Sequence, residues 1–311
     1  MKKNRKHILA VCNRTLSCNK EAVNIIKKRF KYYKLNLTGE TLKGSKLQNF
    51  LSNASLAIVG LEFIDKKLLE NLPKLKKIAK YGVGLDNLDQ LSIKKKKIKF
   101  FYTKGFNKRS VAEFSLCLII FLLRNIKKAH DDFINNLTWL NLGGEELTNK
   151  TIGIIGCGNI GKELVKVIKP FNCNILTFDI KNYKNFNKRY KIKRKNLNYI
   201  FKKSDIISLN LPLNNKTKNL IKLKYLRKLK KNSVFINTSR GGIVNEKDLY
   251  TFLSHNKSVI YGTDVLANEP PTHRKKLFKL NNFFTTPHMA GTTRQSIIRG
   301  AHLCLQFLTE K

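Results

Sequence analysis

The sequence is poor in acidic residues and in the residues that form linkers. Its 311 residues contain 20 Asp and Glu, 6 Pro and 17 Gly, and no Pro-rich or Gly-rich stretch is visible. Hydrophobic residues make up 42% and charged residues 26%, a balance that excludes disordered and fibrous classes. The length is sufficient for two globular domains with separate cores.

The six cysteines are scattered and form no C-x-x-C pair, which predicts a reducing, cytoplasmic location. No His and Cys spacing is typical of a metal site, so none is expected. The apolar run from Val111 to Leu123 is too short to cross a bilayer and contains Glu113, so no membrane segment is expected. The apolar run after the basic start, Ile8 to Cys12, is too short for a signal peptide and predicts a strand.

Basic residues are in large excess, with 62 Lys and Arg and a formal net charge of +42. Such a charge ordinarily favours nucleic acid or anionic membranes as partners. Here the lysines are spread over the whole chain together with abundant Asn and Ile, as an A/T-rich coding bias would produce. No helix-turn-helix, zinc finger or RNA-binding signature is present. We therefore do not expect nucleic acid as a partner, and a basic nucleic-acid-binding protein stays as an alternative.

The chain shows two series of alternating strand and helix patterns, which predict parallel sheets. In the first hundred residues the predicted strands are Ile8–Cys12, Leu56–Val59, Lys77–Lys80 and Ile98–Tyr102, and the predicted helices are Asn19–Phe30, Leu47–Ser52 and Lys66–Glu70. A long, broadly apolar helix is predicted from Ser110 to Asn136 and a closing helix from Ala290 to Lys311. The second series begins at Thr151.

A glycine-rich turn follows the first strand of the second series. Gly156, Gly158 and Gly161 form G-x-G-x-x-G between a strand and a helix, with Asn159 and Ile160 inside the turn. The glycines allow a tight turn, close approach of a pyrophosphate and close helix packing, and the helix N-terminus favours the phosphate charge. The next strand ends in Asp179, which is placed to bind the ribose hydroxyls of NAD. Nearby Lys181, Lys184, Lys188 and Arg189 leave NADP as an alternative.

Three later motifs end strands with groups suited to hydride transfer on a 2-keto acid. They carry Arg240, then Asp264 with Glu269, then His288. The reaction needs a cation for the carboxylate, a general acid and a carboxylate that orients the acid. Arginine suits the first task because its planar fork matches a carboxylate.

In these motifs and their order the chain resembles the D-isomer-specific 2-hydroxyacid dehydrogenase family, within it the phosphoglycerate-dehydrogenase-like branch. The resemblance implies that His288 is the acid/base, Glu269 its partner and Arg240 a catalytic and substrate-binding residue. The resemblance also implies that residues outside the glycine turn contact the cofactor. These residues are Leu211, Pro212, Thr217, Thr238, Asp264, His288 and Gly291.

The segment 80–89, here called the substrate loop, resembles the family's carboxylate-binding loop. The resemblance implies that the N–H groups of Val83 and Gly84 bind substrate and that Asn107 lies in a segment reaching the active cleft. Where the family usually has proline, this chain has Lys104. The stretch 59–65 lacks an arginine that some phosphoglycerate enzymes have there.

The resemblance implies an α/β fold with two Rossmann-like, doubly wound parallel-sheet domains, the cofactor domain inserted into the substrate domain. We predict a flavodoxin-like substrate domain from residues 1–102 and 285–311 and an NAD-binding domain from 103–284. The long helix resembles the family's dimerisation element, which predicts a homodimer. The sequence ends soon after His288, so no C-terminal domain and no serine feedback through one are expected.

The predicted function is NAD-dependent hydride transfer between nicotinamide and a small anionic D-2-hydroxy or 2-keto acid, with D-3-phosphoglycerate dehydrogenase as the first expectation. Glyoxylate or hydroxypyruvate reduction is the alternative within the same chemistry. A protein that binds NAD as a sensor and catalyses no reaction is the alternative of a different class.

Overall fold

A computed structural model describes residues 4–139, 141, 143–273 and 276–310, with only the backbone described at 4–6. The chain divides into two compact units. Unit 1 comprises residues 1–107 and 292–311, and unit 2 comprises residues 108–291. The ends of the predicted substrate domain, residues 1–3 and 311, lie outside the described residues.

The strands are numbered along the chain. They are β1 Asn4–Val11, β2 Phe30–Leu35, β3 Leu56–Val59, β4 Lys77–Lys80, β5 Lys99–Tyr102, β6 Thr151–Ile155, β7 Asn174–Phe178, β8 Lys193–Arg194, β9 Ile206–Leu209, β10 Val234–Asn237, β11 Ile260–Thr263 and β12 Phe283–Thr285.

The α-helices are numbered in the same way. They are α1 Arg14–Ser17, α2 Lys20–Arg29, α3 Gly44–Leu51, α4 Lys66–Glu70, α5 Gln90–Lys95, α6 Lys108–Leu123, α7 Ile126–Asn136, α8 Asn159–Ile168, α9 Lys184–Arg189, α10 Leu197–Lys203, α11 Leu223–Leu226, α12 Glu246–His255 and α13 Arg294–Thr309.

Unit 1 is built on a five-stranded parallel sheet in the order β2-β1-β3-β4-β5. Strand β3 is buried along its whole length, which is why its sequence is a continuous apolar run. Apolar clusters cover both faces of the sheet. On one face the C-terminal helix α13 packs against α2 and β4, so the end of the chain completes the core of the unit that the start of the chain begins.

Unit 2 is built on a seven-stranded parallel sheet in the order β12-β11-β10-β9-β6-β7-β8. The order reverses on the two sides of β6, which pairs with β7 on one side and with β9 on the other. In such sheets ligands bind where the order reverses, at the carboxyl ends of the strands. The glycine-rich turn directly follows β6 and therefore lies at that point.

Side chains at the loop–helix junctions define where several helices begin. Asn19, Asp65 and Asp89 accept hydrogen bonds from N–H groups in the first turns of α2, α4 and α5. Thr293 and Ser296 form a reciprocal capping box at the start of α13. Such caps satisfy backbone donors that have no partner inside the helix.

The single helix predicted from Ser110 to Asn136 is wrong, because α6 and α7 are separate helices. The chain turns at Asn125, whose φ of +53° lies in the left-handed region that asparagine tolerates. Helix α6 is buried along much of its length, whereas no residue of α7 is buried. Strand β2, at the edge of the unit 1 sheet, was not among the predicted strands.

Among the described residues, no helix combines the length and the apolar character needed to cross a membrane.

Candidate active site

The predicted cofactor residues of unit 2 follow the carboxyl ends of its parallel strands. Gly156 follows β6, Asp179 follows β7, Leu211 lies soon after β9 and Thr238 directly follows β10. Because parallel strands end at the same edge of a sheet, these residues share one edge.

The glycine-rich turn has three glycines with three different surroundings. Gly156 has a φ of +95°, and a β carbon there would lie 2.4 Å from the carbonyl oxygen of Asn210. A β carbon at Gly161 would lie 2.1 Å from the carbonyl oxygen of Gly156, so helix α8 can approach the turn only because residue 161 is glycine. At Gly158, by contrast, nothing lies within 4 Å of the β-carbon position. The turn therefore leaves space at its middle glycine.

Helix α8 begins at this space without a side-chain cap, Gly158 being its N-cap residue. Among the described residues, no hydrogen-bond partner is found for the N–H groups of Gly158, Asn159 and Ile160. Uncapped N–H groups and the helix dipole together favour an anion at this end. The arrangement fits a pyrophosphate.

Asp179 holds the turn from the end of β7. Its Oδ2 atom accepts from the N–H of Cys157 at 2.6 Å, and its Oδ1 atom accepts from the N–H of Lys181 at 2.8 Å. Arg194 donates through Nη2 to the Asp179 carbonyl oxygen at 2.7 Å. Burial, with the Asp179 charge as a second cause, raises the pKa of the Cys157 thiol to about 11.

Three further predicted cofactor residues lie in ordered surroundings. Thr217 donates to the Pro212 carbonyl oxygen at 2.6 Å and thereby closes the loop after β9. The hydroxyls of Thr238 and Ser115 are 2.9 Å apart, which ties the end of β10 to helix α6. The open glycine turn, the uncapped helix and the acid at the end of β7 together fit a dinucleotide.

His288 and Glu269 are brought together although 19 positions separate them in the sequence. The His288 Nδ1 atom lies 2.5 Å from the Glu269 Oε2 atom. The other carboxylate oxygen of Glu269, Oε1, accepts from the N–H of Leu266 at 2.7 Å. The His288 and Glu269 side chains are 32% and 27% exposed, so the pair remains open to a ligand.

His288 has a φ of +54°, which is uncommon for a residue with a β carbon. Its N–H donates to the carbonyl oxygen of Asp264 at 2.9 Å. The buried Asp264 carboxylate accepts from the Thr286 hydroxyl at 2.5 Å and from the N–H groups of Met289 at 2.9 Å and Ala290 at 2.7 Å. These four bonds to Asp264 hold the segment that presents His288. Gly291 follows directly.

Arg240 follows β10 and is half-buried. Its Nη1 atom donates to the Ser239 carbonyl oxygen at 2.8 Å, and its own carbonyl oxygen accepts from Asn237 Nδ2 at 3.0 Å. The Nη1 bond therefore anchors the guanidinium to the main chain beside β10.

The predicted substrate residues Val83, Gly84 and Asn107 belong to unit 1. Among the described residues, the N–H groups of Val83 and Gly84 have no hydrogen-bond partner. The Oδ1 atom of Asn107 is buried and has no partner there either. A buried side-chain oxygen without a partner, such as that of Asn107, is rare in folded proteins. The half-buried N–H groups of Val83 and Gly84 are available to a ligand.

Several residues of the site were missed from the sequence. Thr286 and Asn237 support His288 and Arg240, and Ser115 supports Thr238. The Oδ1 atom of Asn210, after β9, is buried with no partner in the described part of the chain. Strand-end position was a usable signal for Thr286, Asn237 and Asn210, whereas nothing in the spacing indicated Ser115.

Comparison with known proteins agrees with this geometry. Residues 116–290 match the family described as D-isomer specific 2-hydroxyacid dehydrogenase, NAD binding domain. The chain is 32% identical to a hydroxypyruvate reductase of Thermotoga maritima, over 89% of this chain and 90% of that protein. It is 33% identical to a D-3-phosphoglycerate dehydrogenase of Methanocaldococcus jannaschii, over 75% of this chain and 45% of that protein.

Among solved structures, D-lactate dehydrogenase from Aquifex aeolicus, complexed with NAD and lactic acid, has a TM-score of 0.82. It is 26% identical and covers 97% of this chain and 94% of its own. The protein thus belongs to the D-isomer-specific 2-hydroxyacid dehydrogenase family. It is an NAD-dependent oxidoreductase with Rossmann-type sheets, as the sequence predicted, while its relatives differ in the acids they are named for.

Proposed function

We propose that the protein interconverts a short D-2-hydroxy acid and its 2-keto acid with NAD as cofactor, using His288, Glu269 and Arg240. The observation that carries the proposal is the His288–Glu269 pair. One carboxylate oxygen of Glu269 is fixed by the Leu266 N–H and the other meets His288. A purely NAD-sensing protein would have no use for an oriented histidine and carboxylate.

In the reductive direction His288 acts as the general acid. Because Nδ1 faces Glu269, the Nε2 atom is the nitrogen that gives its proton to the substrate oxygen. The Glu269 carboxylate stabilises the protonated ring and holds its orientation. In the oxidative direction Nε2 takes the proton back.

Arg240 binds the substrate carboxylate and polarises the reacting carbonyl. Its guanidinium carries a permanent charge and a fixed fork of donors, and the Ser239 carbonyl uses Nη1. In this proposal the guanidinium also donates to the substrate carboxylate. When bound, the nicotinamide ring supplies or accepts the hydride.

Gly158, the start of α8 and Asp179 hold the dinucleotide in this proposal. Lysine and arginine residues near Asp179 leave NADP as an alternative cofactor. In unit 1, Val83, Gly84 and Asn107 remain proposed substrate-binding residues on the strength of their unpartnered polar groups.

Phosphohydroxypyruvate, the keto acid of the phosphoglycerate reaction, is the second candidate substrate beside unphosphorylated acids. Similarity to the Methanocaldococcus jannaschii enzyme supports it. Similarity to the Thermotoga maritima reductase supports hydroxypyruvate.

The homodimer and the cytoplasmic location remain predictions. Exposed apolar residues on and after α7 support a self-associating surface, namely Phe133, Ile134, Leu137 and Trp139. Size-exclusion chromatography with light scattering distinguishes a dimer from a monomer.

The test of the reaction is loss of NADH absorbance with a panel of keto acids. The panel holds phosphohydroxypyruvate, hydroxypyruvate, glyoxylate, pyruvate and 2-ketoglutarate. We expect turnover of at least one acid by the wild type and its collapse in His288→Asn. His255→Asn is the matched control, because His255 lies at the exposed end of α12. Retention of full activity by His288→Asn would overturn the proposal.

A further inference from the structure

Unit 2 contains a nearly buried carboxylate that the proposed reaction does not use. Glu163, in helix α8, is 8% exposed. Charged side chains are almost never buried to this extent unless they are paired. Its Oε2 atom lies 3.7 Å from Lys108 Nζ, and its Oε1 atom lies 3.6 Å from Arg109 Nη1. Lys166, in α8 itself, lies 3.6 Å from Oε2, so three cations surround one carboxylate.

The charge of Glu163 suits the way in which helix α6 begins. The first two residues of α6 are Lys108 and Arg109, and its first turn contains no acidic residue. Positive charge at a helix N-terminus opposes the helix dipole, whereas negative charge there is favourable. Glu163 supplies from α8 the negative charge that the first turn of α6 lacks. The ion pairs also define where α6 begins relative to α8, because an ion pair joins two particular atoms whereas apolar attraction is non-directional.

Helix α6 in turn supports two strands of the sheet. The Ser115 hydroxyl lies 2.9 Å from that of Thr238, which directly follows β10, and Arg240 comes two residues later. Further along α6, Leu122 packs so closely on β11 that a β carbon at Gly262 would lie 2.5 Å from its Cδ1 atom. Helix α6 therefore connects α8 with β10 and β11.

Both ends of this connection belong to the proposed site. Helix α8 begins at the open glycine turn, where the pyrophosphate is proposed to bind, and Arg240 is proposed to bind the substrate carboxylate. Building on the proposed function, we propose that Glu163 is a positioning residue for Arg240. Glu163 fixes the start of α6 against α8, and α6 holds the end of β10 through Ser115. Arg240 is thereby kept at a set position relative to the dinucleotide site.

The experiment compares Glu163→Gln with the wild type and with Glu113→Gln as a matched control. Glu113 Oε1 lies 2.6 Å from Nε of the same Arg109, but Glu113 belongs to α6 itself and its side chain is 55% exposed. Its replacement therefore leaves the ion pairs between α6 and α8 in place. The KM is measured with the keto acid of the panel that the wild type reduces fastest, and the Kd for NADH by isothermal titration.

In Glu163→Gln we expect the KM for the keto acid to rise about five- to tenfold, because substrate binding through Arg240 is weakened. The Kd for NADH should stay within about twofold of the wild-type value, because the glycine turn and the start of α8 are unchanged. Glu113→Gln should keep the wild-type KM. A role in stability alone would lower the free energy of unfolding without this difference between the KM and the Kd.

Amide hydrogen exchange provides a readout that does not depend on turnover. A local role of Glu163 would confine faster exchange in Glu163→Gln to the first turns of α6. The proposal requires faster exchange also in the peptide that contains β10 and Arg240, and the same change there in Ser115→Ala. When Glu163→Gln and Ser115→Ala are combined, the KM should be no higher than in the more affected single variant, because both act through one contact.

The outcomes distinguish this inference from the proposed function. No turnover by the wild type contradicts the proposed function, and exchange at β10 then decides the role of Glu163. When the wild type is active, a wild-type KM or wild-type exchange at β10 in Glu163→Gln overturns the inference while the reaction class stands. Effects that multiply in the double variant overturn it too. If Glu163→Gln does not fold, Lys108→Met removes one of the two ion pairs to α6, and wild-type values in that variant overturn the inference.

Discussion

The Nδ1 atom of His288 lies 2.5 Å from Oε2 of Glu269, and the second oxygen of Glu269 is held by the N–H of Leu266. The carboxylate is thus fixed on one side by the main chain and orients the imidazole with the other. This arrangement presents one defined nitrogen, Nε2, to a substrate.

Glu269→Gln is expected to lower kcat by about 10²–10⁴-fold, since the amide cannot stabilise a protonated imidazole. Isothermal titration with NADH, expected to give a Kd near the wild-type value, separates this effect from a loss of cofactor binding. Glu246→Gln is a matched control, because Glu246 accepts from the Ala267 N–H but does not contact His288 in the described structure. Comparable losses in both variants would mean that Glu269 acts only by ordering its loop.

Asp264 supports His288 through three donors to one carboxylate. Asn cannot accept all of these bonds with one oxygen, so Asp264→Asn leaves at least one buried N–H or hydroxyl facing an amide group. We expect the free energy of unfolding to fall by about 2–3 kcal/mol and kcat to fall with it. Thr286→Val removes a single bond and should cost about 1 kcal/mol. Chemical denaturation of both variants measures the difference, and equal costs would contradict the assigned network.

Substitutions at two glycines of the glycine-rich turn should have different effects, one on NADH binding and the other on stability. Gly158→Ala places a methyl group in open space, so its unfolding temperature should equal that of the wild type while its Kd for NADH rises at least about tenfold. Gly161→Ala forces a β carbon against the Gly156 carbonyl and should lower stability by about 1–3 kcal/mol. Thermal unfolding and NADH titration of the two variants test this contrast. It fails if Gly158→Ala binds NADH as well as the wild type.

Local patterns predicted much of the fold because buried parallel strands are continuous apolar runs. Strands β3 and β4 have the predicted bounds, and the strand–turn–helix around Gly156 lies where the motif placed it. The edge strand β2 was missed because four residues of its sequence, FKYYKL, are lysine or tyrosine and three of the six are exposed. The break at Asn125 was missed because apolar residues continue past it.

The sequence predicted those site residues that directly follow strands, because their positions can be read from the order of the motifs. Motifs at strand ends indicated His288, Glu269 and Arg240, because parallel strands end at one edge. The bond from Thr286 to Asp264 depends on how the loops fold back, and no sequence spacing encodes that. Buried polar groups acquire partners from distant parts of the chain, so those partners become visible only in three dimensions.

The Cys157 thiol should be inert although it lies inside the cofactor turn. Its pKa is raised to about 11, so the reactive thiolate is a fraction of about 10⁻³ at pH 8. Iodoacetamide at that pH should modify the exposed Cys18 and Cys117 and leave Cys157 unmodified by mass spectrometry. NADH binding should survive the treatment. Rapid labelling of Cys157 would show that its surroundings are more open than the structure indicates.

Asp179 is expected to decide between NADH and NADPH. Its carboxylate is negative and lies at the end of β7, where a 2′-phosphate would meet it, whereas Arg194 donates to its carbonyl oxygen. The wild type should therefore prefer NADH, and Asp179→Asn should shift the ratio of kcat/KM towards NADPH by about tenfold or more, since repulsion is removed and Arg194 remains.

Asp205→Asn is the matched control for this shift. Asp205 accepts from the Thr151 N–H and pairs with Lys230 at the amino ends of the strands, far along the sheet from the cofactor edge. Its replacement should reduce stability without changing the NADH-to-NADPH ratio. Equal use of both cofactors by the wild type would contradict this prediction. It would mean that attraction of the 2′-phosphate by the surrounding lysines and Arg194 outweighs its repulsion by the Asp179 carboxylate.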